Sequence, residues 1–357
     1  MFCIAAFIVL AIVSIFSASQ RKLAKKAWDC TLHRITFRPC DTNFKEEAKS
    51  KLLSHVAKRT PKLIKVADIG IEVASFLLVI LTVWSILSVL NSGLNLFVWG
   101  TCNPSEASSC SLSSETCSIE KVDKSLWQYI GEGKPFDWFS NGFDQLINTF
   151  ANIPNRLKNW DATEYLPKNV SYYHKYDSSK PTAIEILDPG CSVCARLFKN
   201  IKESGFEDKY NLAYIAYPIK NPYSAGKYKF TNSYTATRYL ESIKLNPLEN
   251  ATVAADWQII EKIFTEKDSN GISYQSRINN DLDQAGTTEL IEGWLKNIGY
   301  SDAQIAQIKT TADSQAVVDA IDRSYSIVEK DINTLKIPTI IFGGKRLEGL
   351  VEVNSLK

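Results

Sequence analysis

The chain has 357 residues, 45% of them hydrophobic and 22% charged, a globular composition that excludes wholesale disorder. Its 41 basic and 39 acidic residues leave a net charge of +2, so it lacks the global electrostatic footprint of a nucleic-acid binder. Three histidines offer little for a histidine-rich metal site, and eight cysteines are too few for a disulfide-dense scaffold, so the positions of the cysteines carry the information.

Residues 1–19 are uncharged and mostly apolar, and a second uncharged run covers 73–99. A helix of that second run would be about 40 Å long, enough to cross a hydrocarbon core of roughly 30 Å. The first run has no basic segment ahead of it, as a cleaved signal peptide would; Arg21, Lys22, Lys25 and Lys26 follow it instead. Two transmembrane helices are therefore expected. Thirteen basic residues lie between them, against few acids, which places 20–72 as a basic cytoplasmic loop and everything after Trp99 outside. The amphipathic stretch from Phe44 to Ile64 is expected to rest on anionic lipid.

This topology sorts the cysteines. Cys30 and Cys40 fall in the cytoplasm, where they are expected to stay thiols packed at the membrane face. Cys3, Cys102, Cys110 and Cys117 fall outside, along with Cys191 and Cys194. The first four allow three pairings. A Cys3–Cys102 bridge would tie the two helix ends, and Cys110–Cys117 would close a small loop.

Residues 100–165 read as an extracytoplasmic linker. Its first part is rich in Ser, Asn and Glu. Over 141–160, Phe143, Leu146, Ile147, Phe150 and Ile153 have the spacing of an amphipathic helix, which Pro154 would interrupt.

From 166 to 357 the pattern changes to a soluble domain. Ala183 to Leu187 has strand character, Asp188-Pro189-Gly190 breaks it, and Cys194, Leu197, Phe198 and Ile201 then mark one helix face, with Gly205 as the stop. Cys191 thus sits at the first turn of a helix. Free backbone N–H groups and the helix dipole favour an anion there, so a Cys191 thiolate is expected as the nucleophile. Cys194 lies one turn on, facing inward, and can resolve a mixed disulfide formed at Cys191. Leu212 to Tyr217 is a further strand. Between 219 and 335 four apolar stripes predict helices, headed by Ala236, Val253, Leu290 and Val318. Thr339 to Phe342, Gly343-Gly344 and Lys345 to Leu347 form a hairpin, with Pro338 at the strand head, where a ladder donor is dispensable.

The C-x-x-C helix after a strand, the helical insertion and the Ile337-Pro338-Thr339 hairpin together resemble the DsbA-like thiol–disulfide oxidoreductases of the thioredoxin-fold superfamily, over about 175–357. The resemblance implies an α/β, thioredoxin-like fold with a helical insertion (219–335), preceded here by the two transmembrane helices. It implies that Pro338 is cis and faces the disulfide, and that Ile337 offers backbone hydrogen bonds to a bound peptide. Glu185, six residues before Cys191, would be a buried acid relaying a proton to or from Cys194; by pattern alone it could instead be a solvent-facing strand residue. The activity implied is thiol–disulfide exchange on exported cysteine-containing proteins by a multi-pass membrane protein. Its redox-active disulfide would be Cys191–Cys194, with no other cofactor, no metal and no nucleic acid, and with the lipid bilayer and a membrane redox protein as partners. A reductase or isomerase fed by that partner stays open, as does a binding protein with structural cysteines. Ser192-Val193 lacks the histidine of the strongly oxidising members, which implies a weaker oxidant. The family's final helix is expected to be missing, with Asn354 or Ser355 as an N-cap close to Lys357.

Overall fold

The computed structural model describes residues 9, 21–36, 50, 53, 64–104, 116–119, 124–249 and 251–357. The chain divides into two compact units, Met1–Asn91 and Ser92–Lys357. Apart from residue 9, the first expected membrane helix (1–19) lies outside the described residues, as do the greater part of the Phe44 to Ile64 stretch and Cys3, Cys40 and Cys110.

In the first unit, α1 spans Arg21–Ile35 and α2 begins at Ile64 and runs to Trp99, 36 residues in all. Two corrections follow. The stretch expected as a basic loop contains α1, and α2 starts nine residues before the expected 73. Lys65 and Glu72 are good helix formers, so charge marks where apolar character ends and not where the helix ends. Among the described residues, α2 alone is long and apolar enough to cross a membrane; its side chains from Val73 to Leu90 are mostly exposed. Cys30 is half of a disulfide, contrary to the expected packed thiol.

The second unit opens with the last turns of α2, where Leu94, Val98 and Trp99 pack with Ile153 and Leu335. Thr149 Oγ1 donates to Asn95 Oδ1 (2.7 Å) and accepts from Trp99 Nε1 (3.2 Å). The linker then forms a two-residue strand, β1 (Cys117–Ser118), and three helices: α3 (Leu126–Gly131), α4 (Pro135–Ala151) and α5 (Ile153–Leu157). The amphipathic helix begins at Pro135, ahead of the expected 141, because proline suits a first helical position. The interruption expected at Pro154 falls at Asn152, and Pro154 stands in the first turn of the next helix.

The core is a four-stranded sheet of β2 (Thr182–Leu187), β3 (Asn211–Ala216), β5 (Thr339–Phe342) and β6 (Lys345–Glu348), in the order β3-β2-β5-β6. β3 and β2 are parallel; β2 with β5 and β5 with β6 are antiparallel. The β2–β3 crossover carries α6 (Ser192–Ser204) and the short α7 (Phe206–Lys209). On the far edge of β3 only one bridge forms, Tyr172 to Ala213. β4 (Lys336–Ile337) stands apart from this sheet and pairs antiparallel with β1. The mixed sheet, the C-x-x-C helix on the parallel crossover and the cis Ile337–Pro338 bond ahead of the hairpin make a thioredoxin-like α/β fold.

β2 and β3 are almost wholly buried, as strands covered on both faces must be. Leu197, Phe198 and Ile201 of α6 are fully buried, and Phe198 stacks on Trp257, which also meets Tyr173 and Tyr214 edge-on. Gly205 ends α6 at φ 63°, a left-handed cap that glycine adopts without steric cost. The insertion holds α8 (Ser233–Leu245), α9 (Ala255–Thr265), α10 (Gln284–Ile298), α11 (Asp302–Ala312) and α12 (Gln315–Ser326), the last continuing in π-helical turns over Ile327–Ile332. Four of these are the four predicted stripes, and α11 is additional. A last helix, α13 (Val353–Leu356), is capped at Glu352, before the expected Asn354 or Ser355.

Candidate functional site

The site gathers at the C-terminal end of β2. Asp188-Pro189-Gly190 turns the chain, and Cys191 becomes the N-cap residue of α6 in extended conformation (φ −81°, ψ 116°), with no side-chain cap hydrogen bond of its own. Asp188 fixes this turn. Its Oδ1 accepts from Gly190 N (2.7 Å) and Ser233 Oγ (2.6 Å), and its Oδ2 from Ile219 N (2.7 Å). Its own carbonyl accepts from Cys191 N at 2.9 Å. Burial pushes the Asp188 pKa up to about 6, against the pull of those three donors.

The insertion grips the same turn from outside. Gln275 Nε2 donates to the carbonyls of Pro189 (2.9 Å) and Cys191 (3.1 Å), and Asn279 Nδ2 donates to Gly190 O (2.8 Å). Phe230 lies so close that a Cβ on Gly190 would fall 2.3 Å from the Phe230 Cβ. Glycine is required here by close approach, since its φ is not positive.

Cys194 is a free thiol with no solvent exposure. Burial holds its pKa well above the ordinary value, and the neighbouring Glu185 carboxyl raises it further. Glu185 sits in mid-β2, opposite Tyr214 on one side and Ile340 on the other. It has no exposure, so the solvent-facing alternative is excluded. Neither of its oxygens has a hydrogen-bond partner, and desolvation pushes its pKa up to about 8. A carboxyl in that state exchanges a proton near neutral pH.

The opposite wall is β4 and the cis Ile337–Pro338 peptide. Thr339 Oγ1 donates to Lys336 O (2.6 Å), and Pro338 O accepts from Gly349 N (2.7 Å), which closes the turn around the proline. Lys336 is buried, and its Nζ donates to Gly100 O (2.9 Å), just beyond the end of α2.

The structure brings Cys191, Cys194, Glu185, Ile337 and Pro338 into one site, but the sulfur partner differs from the one expected. Cys191 is bonded to Cys117, with their Cα atoms 6.4 Å apart, and Cys194 is left as the thiol. The expected Cys110–Cys117 loop is therefore corrected. β1 pairs with β4, Cys117 opposite Ile337, which carries the Cys117 sulfur to the head of α6 and away from its sequence neighbour. Cys102 is also disulfide-bonded. Among the described residues no cluster of three or more metal-ligating side chains occurs.

Sequence reasoning gave Cys117 only as a structural-disulfide candidate, and it did not find Asp188, Gln275 and Asn279. For Asp188 a signal existed: an aspartate ending a buried strand needs donors. Gln275 and Asn279 carry no local signature, since they meet the turn only through the tertiary fold.

No family model matches the chain, and no curated protein matches it. Several solved structures do. One is the thiol-disulfide exchange protein alpha-DsbA2 from Wolbachia pipientis, 19% identical, with a TM-score of 0.35 over 52% of this chain and 83% of that one. Another is MdbA, a thiol-disulfide oxidoreductase from Corynebacterium diphtheriae, 14% identical, TM-score 0.40, covering 54% and 98%. ScsC from Proteus mirabilis, in a transitional conformation, is 14% identical at TM-score 0.37, covering 65% and 90%.

Proposed function

We propose that the chain is a membrane-anchored thiol–disulfide oxidoreductase, held by α2, acting outside the cytoplasm on cysteines of exported proteins. The carrying observation is the sulfur arrangement itself. Cys191 stands at a helix N-terminus already joined to a second chain segment, with a free thiol, Cys194, one helical turn behind it.

Each residue has a role in that chemistry. A substrate thiolate attacks Cys191 of the Cys191–Cys194 disulfide, and the electron pair of that bond leaves on Cys194. The departing sulfur is buried, so it needs a proton, and Glu185 is assigned to give it, which its burial and its electrostatic coupling to Cys194 support. In the second step another substrate thiolate attacks the substrate sulfur of the mixed disulfide and releases Cys191, whose thiolate the head of α6 favours. Ile337 offers backbone pairing that aligns an extended substrate. Asp188, Gln275 and Asn279 hold the turn so that Cys191 keeps its place.

The test is catalysed oxidation of a reduced, unfolded ribonuclease by the full chain in detergent, with glutathione disulfide as oxidant. Cys191→Ser should abolish it. Equal rates for wild type and Cys191→Ser would refute the reading.

A further inference from the structure

We propose that Cys117 is a third redox-active cysteine. In this inference the β1 segment is a built-in substrate that occupies the peptide edge at Ile337 and exchanges its disulfide with Cys194. The inference rests on the oxidoreductase reading above and adds a residue and a resting state to it.

Three observations carry it. First, Cys117 is the residue placed opposite Ile337, immediately before the cis-proline; Ser118 pairs with Lys336, and Ile119 N donates to Leu335 O at 2.9 Å. An added strand that ends on the reactive sulfur is the geometry of an extended peptide docked on a free edge. Second, β1 is two residues long and joins only β4, not the main sheet. The sequence around it, SEASSCSLSSETCSIEK from Ser105 to Lys121, is largely polar and gives the segment little apolar surface of its own. Third, a structural cross-link would not need a thiol in reserve. Here Cys194 is free, fully buried and one turn behind the bonded Cys191.

The exchange balances without an outside reagent. The Cys194 thiol gives its proton to the Glu185 carboxylate, and its sulfur attacks Cys191 Sγ. The Cys191–Cys194 bond forms and the Cys117–Cys191 bond breaks. The bonding pair leaves on Cys117, which takes a proton from water. One disulfide exists before and after, so nothing is oxidised or reduced overall. Glu185, with no hydrogen-bond partner of its own and electrostatically coupled to Cys194, is the proton acceptor of this step. The released Cys117 thiol vacates Ile337 for an external peptide.

Occupation of the edge has a cost for outside substrates. A segment tethered through a short connector acts at an effective concentration in the ~mM range, so an equivalent external peptide at ~10 µM is outcompeted about 100-fold. Cys117→Ser should therefore raise the initial rate of mixed-disulfide formation with a cysteine peptide at that concentration by up to that factor.

The experiment uses the full chain in detergent, equilibrated in glutathione buffers, acid-quenched, alkylated and mapped as non-reduced peptides. Cys194→Ser should hold Cys117–Cys191 as its dominant disulfide at that site. Wild type should show Cys117–Cys191 and Cys191–Cys194 interconverting. Two results overturn the role of Cys117 alone: a Cys117–Cys191 bond that stays unchanged while an outside thiol turns over, or Cys117→Ser reacting with the peptide at the wild-type rate. If Cys191 exchanges with glutathione in neither wild type nor Cys117→Ser, the oxidoreductase reading falls and this inference falls with it.

Discussion

Replacing Glu185 by Gln isolates the buried carboxyl at the centre of the site. Glu185 has no exposure and no hydrogen-bond partner, and its pKa is raised from 4.5 to about 8 by desolvation alone. In the unfolded chain it ionises near the lower value. Between the two the native state holds a proton that the unfolded state has lost, so stability falls as pH rises. The contribution is fully present below about 4.5 and is lost as pH passes through about 8. At about 1.4 kcal/mol per pH unit, the full loss is about 5 kcal/mol. For a unit of this size that is a fall in melting temperature of about 10–20 °C. The assay is thermal unfolding of the full chain in detergent at a series of pH values from 4.5 to 8.5, wild type beside Glu185→Gln. The variant keeps the shape and removes the titration, so subtracting the two curves cancels other groups, including Asp188. The predicted difference is a wild-type slope that the variant lacks. Parallel curves would show that Glu185 is not a desolvated acid in the folded protein and would remove it from the proton step.

Gly190→Ala should destabilise the site by about 1–3 kcal/mol, because the new Cβ overlaps Phe230; a variant melting within 1 °C of wild type, roughly a third of a kcal/mol at this size, would contradict that contact. Asp188→Ala orphans the Gly190 and Ile219 amides and the Ser233 hydroxyl, each at about 1–3 kcal/mol if no water replaces the carboxylate. Amide hydrogen exchange should show lost protection at Ile219 in that variant, and unchanged protection would refute the clamp. Releasing Ser92–Lys357 from the first unit should lower oxidation of exported substrates in cells while leaving oxidation of ribonuclease in solution intact. Equal cellular activity would argue against a role for anchoring.

Much of the fold was legible because its signals are local. The stripe Cys194, Leu197, Phe198 and Ile201, with Gly205 after it, specifies a helix with one buried face, and the structure has that helix. Gly343-Gly344 between two β-rich runs specifies the hairpin. α11 was missed because its apolar positions are sparse, with Ile308 and Ala312 its buried residues. Its capping box was readable all the same: Ser301 and Gln304 satisfy each other's backbone N–H groups. The start of α2 was misplaced by equating the loss of apolar character with the end of the helix. The site was half legible. Cys191, Cys194 and Pro338 stand out by spacing and type. Cys117 does not, because a disulfide across 74 residues leaves no periodic trace. It is set by the pairing of β1 with β4, two segments far apart in sequence that meet only in the folded chain.

The central claim is that Cys191 belongs to an exchanging dithiol and not to an inert bridge. An equilibrium titration of the full chain in glutathione buffers, reading the sulfur state of Cys191 by mass, tests it most directly. The account predicts reversible exchange and a Cys191–Cys194 disulfide with a potential between about −120 and −270 mV. A Cys191 sulfur that never equilibrates with glutathione at any ratio would contradict it.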